Sequence, residues 1–151
     1  MHAEETSPQP EPTLLYTMKQ VELVTRSCLD DLLRPAGLTA LQYTALTVLE
    51  RQPDLTSAQL ARNSFVTAQT MTDMVKALTA QQLIARHQDA KDRRRLVLSL
   101  TSEGRALLDR FRDAVADLEA TMLAGLAAND IAGLRRMLLI CRANLIKIAE
   151  R

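Results

Sequence analysis

Residues 83–100, LIARHQDAKDRRRLVLSL, are the one stretch where the apolar residues abandon a helical spacing. Leu83 to Gln88 forms one short run, and Leu96, Val97, Leu98, Ser99 and Leu100 form a second. Between them Lys91, Arg93, Arg94 and Arg95 crowd a turn, with Asp92 in their midst. Short apolar runs of this length, joined by a polar turn, predict two strands in a β-hairpin. Everywhere else the periodicity is helical, so the expected fold is mainly α with one small hairpin.

Upstream, Leu14, Met18, Val21, Val24, Cys28 and Leu32 line one face of a long helix that Pro35-Ala36-Gly37 ends. Thr39 can cap a second helix through Glu50, with Leu41, Ala45, Leu46 and Leu49 inward. Pro53-Asp54 breaks it, and Thr56 or Ser57 opens a short third helix to about Arg62, with Leu60 and Ala61 inward. Thr67 caps a fourth, where Val66 and Met71 are spaced as a hydrophobic staple. Met71, Met74, Val75 and Leu78 form its buried stripe. At 100° per residue, Gln69, Asp73 and Lys76 face the other way, with Thr70 and Thr72 on the flanks.

Downstream, Thr101 with Glu103-Gly104 starts a fifth helix to about Leu126, seamed by Leu108, Phe111, Val115, Leu118 and Met122. Asn129-Asp130 restarts the chain as a last helix bearing Ile131, Leu134, Leu138, Cys141, Leu145 and Ile148.

A chain of 151 residues is most simply one compact domain. Residues 1–12 are acidic and proline-rich, which predicts a disordered tail. That tail lacks the basic start and apolar run of a signal peptide, and no apolar stretch reaches about 18 residues. No membrane association and a cytoplasmic location are therefore expected. The only histidines are His2 and His87, and the two cysteines, Cys28 and Cys141, form no CxxC pair. No Ser–His–acid or Cys–His set, phosphate-binding glycine loop or metal-ligand cluster is recognisable. The expectation is a binding protein, not an enzyme, with no cofactor, metal or catalytic residue.

The net charge of +1 conceals a gradient. Residues 61–112 hold ten bases against five acids, whereas residues 1–12 hold three acids and no base. Positive potential in the middle of the chain can steer a polyanion. The order helix, short helix, helix, basic hairpin is the layout of a winged helix-turn-helix. A helix with a compact polar face fits a major groove, and a basic hairpin tip can straddle phosphates or enter a minor groove. The competing reading of the cations is a solvated charge run on a surface turn. On the DNA reading, Gln69, Thr70, Thr72, Asp73 and Lys76 set sequence preference, while the wing residues Lys91, Asp92, Arg93, Arg94 and Arg95 grip the backbone and grooves. Asp73 has two roles open to it, accepting from a cytosine amine or bridging to an arginine within the protein.

GLTALQYTALTVL, LTSAQLARNSFVTAQTMTDMVKAL and LIARHQDAKDRRRLVLSLTSEGR together resemble the MarR family of transcriptional regulators, over about Gly37 to Arg105. The carrying motif is D-x-R in the wing, followed by a strand ending in Leu-Thr-x-x-Gly. The resemblance implies that 67–80 is the recognition helix and 56–63 the helix that braces it. It makes Arg94 the minor-groove arginine, and Asp92 a wing anchor paired with a base such as Arg86 or Lys76. Arg93 and Arg95 would serve phosphates. Two departures stand out: Gln82 where the family commonly has glycine, and Ala90 where proline is frequent. The first would cost about 1 kcal/mol if the backbone there is left-handed, and the second would loosen the tip.

Both chain ends carry apolar stripes in excess of what a small winged helix needs. Segments 13–36 and 101–151 are thus expected to be dimerisation helices flanking a DNA-binding region at 37–100. Leu14, Met18, Val21, Leu134, Leu138, Cys141, Leu145 and Ile148 are the interface candidates; a monomer core is the plainer alternative. The family resemblance further implies a homodimeric repressor of a pseudo-palindromic operator, released by a small aromatic or anionic effector. Met18, Arg26 and Tyr43 lie on segments able to line an effector pocket. Redox sensing through Cys28 is an alternative within the family, and a winged helix that binds another protein is an alternative outside it.

Overall fold

A computed structural model describes residues 8–150. Its elements are α1 (Leu14–Leu33), α2 (Ala40–Arg51), α3 (Ser57–Asn63), α4 (Ala68–Ala80), β1 (Ile84–Gln88), β2 (Leu96–Leu100), α5 (Ser102–Met122) and α6 (Ala128–Ala149). Of the tail expected over 1–12, residues 1–7 lie outside the described residues, and 8–12 carry no helix or strand.

Threonine starts the helices. The hydroxyls of Thr13, Thr39, Thr56, Thr67 and Thr101 accept from the amides of Tyr16, Gln42, Gln59, Thr70 and Gly104 at 3.0–3.2 Å. Gln42 and Gln59 return the bond to the amides of Thr39 and Thr56, closing two capping boxes. Each such cap contributes about 1 kcal/mol by satisfying amides that have no partner within the helix. α6 begins one residue before the expected restart at Asn129, with the Asp130 carboxylate accepting from the Ala127 amide at 3.2 Å. α5 ends at Met122, four residues short of the sequence expectation.

Three helical segments end in the same way. Gly37, Phe65 and Gln82 have φ of 70°, 57° and 60°. In each case the next amide reaches back five residues: Leu38 to the Leu33 carbonyl, Val66 to Ala61, and Leu83 to Leu78. This is the Schellman ending, which favours glycine at the left-handed position. Gln82 thus occupies the left-handed site for which the sequence raised a penalty, and Phe65 occupies another.

Contacts divide the chain into two units, Met1–Arg112 and Asp113–Arg151, with α5 running through the boundary. The core belongs to the first unit. Leu46 and Leu49 of α2, Leu60 of α3, Met71 and Leu78 of α4, and Leu108 of α5 are fully buried. In the hairpin Ile84 pairs with Leu100 and Gln88 with Leu96. Val97 and Leu98, which point to opposite faces, are both buried, so the hairpin base is covered on each side. Leu96, nearer the tip, is exposed. Leu55 adds a short bridge on the outer edge of β2, its carbonyl accepting from the Leu98 amide at 2.7 Å.

The Leu-Thr-x-x-Gly signature acquires a physical basis here. The Thr101 hydroxyl donates to the Gln82 carbonyl at 2.6 Å, and the Thr101 amide donates to the Leu83 carbonyl at 3.1 Å. A Cβ on Gly104 would drive into that same Leu83 carbonyl oxygen. The start of α5 therefore rests directly on the backbone that links α4 to β1. Gly104→Ala is expected to lose about 1–3 kcal/mol by overpacking. That is a fall of roughly 2–12 °C in the thermal unfolding midpoint, from the usual 2–4 °C per kcal/mol at this size.

In the second unit no described residue of α6 is buried. Ile131 and Leu134 are half-covered, whereas Leu138, Cys141, Leu145 and Ile148 are exposed. α1 behaves alike: Leu33 is buried at its end, but Leu14, Met18, Val21, Val24 and Cys28 are exposed. Cys28 and Cys141 are both exposed, and the stripes they sit on are largely uncovered within their own units.

Candidate nucleic-acid interface

α4 presents the split face its sequence implies. Met71, Met74, Val75 and Leu78 are buried, while Gln69, Thr72, Asp73 and Lys76 are exposed. Thr70 is half-buried, and its hydroxyl accepts from that of the cap residue Thr67 at 3.0 Å, so it is partly committed to the helix start. Thr72 donates its hydroxyl proton to the Ala68 carbonyl at 2.9 Å and keeps acceptor capacity outward. Among the described residues Asp73 and Lys76 enter no salt bridge, so the internal bridge weighed for Asp73 is not formed.

The wing tip is tightly hydrogen-bonded despite Ala90. The Asp89 amide donates to the Arg95 carbonyl at 2.9 Å, and the Arg95 amide donates to the Asp92 carbonyl at 3.0 Å. The Asp89 carboxylate accepts from the Lys91 amide at 3.1 Å. Asp92 organises the rest: one carboxylate oxygen accepts from the Arg94 amide at 3.1 Å and from the Arg94 Nε at 3.2 Å. These bonds from the Arg94 side chain and backbone hold the Asp92 carboxyl below its ordinary range. The turn's contribution from Asp92 is therefore full above the ordinary carboxylate range and is lost as pH falls through the lowered value.

Asp92 thus pairs with neither Arg86 nor Lys76, contrary to the expectation from resemblance. A carboxylate two residues before an arginine in a tight turn finds that arginine's amide and Nε first, whereas Arg86 and Lys76 lie on β1 and α4. The Arg94 side chain remains 91% exposed, because the contact uses Nε and leaves the outer edge of the guanidinium to solvent. Lys91 and Arg93 are exposed without a salt bridge among the described residues. Arg95 differs from its neighbours: its Nη2 donates to the Gln59 side chain at 3.2 Å and ties the wing to α3.

Sequence reasoning missed a second tie. His87 Nε2 stands 3.0 Å from a carboxylate oxygen of Asp54, and His87 Nδ1 is 3.0 Å from the Gln88 carbonyl. Asp54 has φ of 62° and donates its amide to the Leu98 carbonyl at 3.2 Å. The loop after α2 thereby grips both strands of the wing. The only local cue was the Pro53-Asp54 turn, since aspartate tolerates the left-handed region.

The three effector candidates are not brought together. Arg26 pairs with Glu22 at 2.6 Å and helps line a shallow recess of about 240 Å³ between α1 and α2, with Thr25, Leu29, Leu41 and Thr44. Met18 is exposed on α1 outside that recess. Tyr43 is half-buried; burial pushes its phenol up, against the opposing influence of Arg112, and Glu50 raises it further. Arg112 holds Glu50 at 3.0 Å and Asp109 at 2.9 Å, a clamp between α5 and α2.

The sequence model of the MarR family matches residues 36–95. An HTH-type transcriptional repressor of Mycobacterium tuberculosis is 35% identical over 123 residues, covering 82% of this chain and 88% of the relative. Among solved structures, a MarR family transcriptional regulator from Silicibacter pomeroyi superposes with a TM-score of 0.82 at 20% identity, over 87% of this chain and 88% of that one. The transcriptional repressor CouR, bound to a 23-mer DNA duplex, gives 0.76 at 27% identity, over 86% and 92%. The chain belongs to the MarR family of transcriptional regulators, and its fold is a winged helix-turn-helix.

Proposed function

We propose that the protein is a homodimeric repressor that reads a pseudo-palindromic operator and is released from it by a small ligand. α4 lies in the major groove, with Gln69, Thr72, Asp73 and Lys76 toward base edges and Thr70 fixing the helix start. Arg94 enters the adjacent minor groove, Lys91 and Arg93 bind phosphates, and Arg95 braces the wing. The observation that carries this reading is the wing itself. Its turn is fixed by Asp92, yet the Arg94 side chain stays almost wholly in solvent. A solvated charge run has no need of such preorganisation, whereas a groove-reading arginine gains from it.

Dimerisation is supported by the uncovered apolar faces of α1 and α6. Leu14 is 84% exposed and Ile148 is 68% exposed; a second copy would cover both ends in a two-fold interface, with Leu134, Leu138, Cys141 and Leu145 beside them. Effector release would be a shift toward a dimer whose recognition helices no longer match the operator. The recess lined by Arg26 is where a small effector would bind, an anionic group displacing Glu22 from Arg26; Tyr43 supports the α2–α5 contact and Met18 joins the interface. The protein acts in the cytoplasm, where its DNA target is.

Selection from a random duplex library tests this reading. The expected product is an inverted repeat with half-sites one helical turn apart, roughly 10 base pairs centre to centre. Recovery of a single unrepeated motif would contradict the dimeric part of the proposal.

A further inference from the structure

Phe65 stands where neither its bulk nor its chemistry suits the fold. It forms the turn between α3 and α4 with φ of 57°, the left-handed site of the α3 ending. For a bulky residue this conformation is a true outlier, and glycine would take it without strain. Its side chain is also 72% exposed, so the ring gives back little by burial. The aromatic–cation contact found among the described residues involves Phe111, not Phe65. An outlier that the fold does not exploit is grounds for a functional hypothesis.

Position narrows that hypothesis. Thr67, two residues on, caps α4, and Gln69 begins the helix's polar face. In this motif the N-terminal end of the recognition helix approaches base edges, so the residue just before the cap arrives at the rim of the contacted site. The major-groove edge offers one apolar group, the thymine C5-methyl, and phenylalanine is among the side chains that contact it. We propose that Phe65 is a specificity-determining residue whose ring packs on a thymine methyl at the edge of each operator half-site. The proposal rests on the DNA reading above and adds an apolar contact outside the polar face of α4.

The test uses the full-length protein and the duplex it selects from a random library. Each thymine is replaced singly by deoxyuridine, which removes only the methyl group. Wild type is expected to lose about fourfold in affinity at one thymine per half-site, the equivalent of one buried methyl group. Phe65→Gly, which removes the contact from both half-sites, should bind the thymine duplex about sixteenfold more weakly and be indifferent to the deoxyuridine change. Its unfolding midpoint should rise by roughly 2–4 °C as the left-handed strain is relieved. Phe65→Leu, which keeps an apolar side chain, should retain part of the thymine preference. A wild-type protein that selects a sequence but shows no sensitivity to the methyl groups overturns this assignment alone. So does a Phe65→Gly variant that keeps the sensitivity, or one whose unfolding midpoint falls, since the ring would then serve the fold. Failure to select any sequence overturns the DNA reading and this assignment together.

Discussion

Leu138→Asp is expected to convert the protein to a folded monomer and to reduce specific operator affinity by about 10²–10⁴-fold, the usual gain from joining two binding modules. Within one chain the substitution is mild, because Leu138 is exposed and α6 buries none of its described residues. In the proposed dimer each copy would instead place an unpaired carboxylate in an apolar seam. Desolvating such an ion costs several kcal/mol. Light scattering coupled to size-exclusion chromatography reads the oligomeric state, and far-UV circular dichroism checks that the helices persist. A variant that remains dimeric and binds its operator normally would show that α6 is not the interface.

Arg94→Ala is expected to leave the thermal midpoint nearly unchanged and to weaken operator binding on the order of tenfold per half-site, or hundredfold for the dimer. The fold loses little because the side chain is solvent-exposed. Binding loses more than one cation. Asp92, whose carboxylate is balanced by Arg94, would be left as an unmatched anion facing phosphates. Arg94→Lys should recover only part of the loss, since an ammonium keeps the charge without the planar fork that both holds Asp92 and faces outward.

What was legible in the sequence is what short-range chemistry dictates. Thr39, Thr67 and Thr101 announce helix starts because their hydroxyls bond amides three residues on. The stripe of α4 follows from periodicity, while the left-handed site at Gln82 was flagged by the glycine that the MarR family commonly has there. Long-range ties were illegible: Arg95 to Gln59, His87 to Asp54 and Leu98 to Leu55 join segments separated by more than thirty residues. Asp92 was misassigned for the opposite reason, as its partner is two residues away and the expectation looked further afield. Phe65 could not be anticipated, because its residue type argues against its conformation. The stripes of α1 and α6 were found correctly, but a helical period cannot say whether its own chain or a second copy covers it.

A preorganised basic wing, used twice in the proposed dimer, would grip DNA through contacts to its phosphates. Salt dependence of binding to a labelled duplex, measured by fluorescence anisotropy for wild type and Arg93→Ala, reads those contacts directly. Each phosphate neutralised contributes about 0.9 to the slope of log affinity against log salt. A steep negative slope is expected for wild type and one shallower by about two units for the variant, one contact being lost from each wing. A wild-type protein that fails to bind duplex DNA at low salt, or identical slopes for the two proteins, would contradict it.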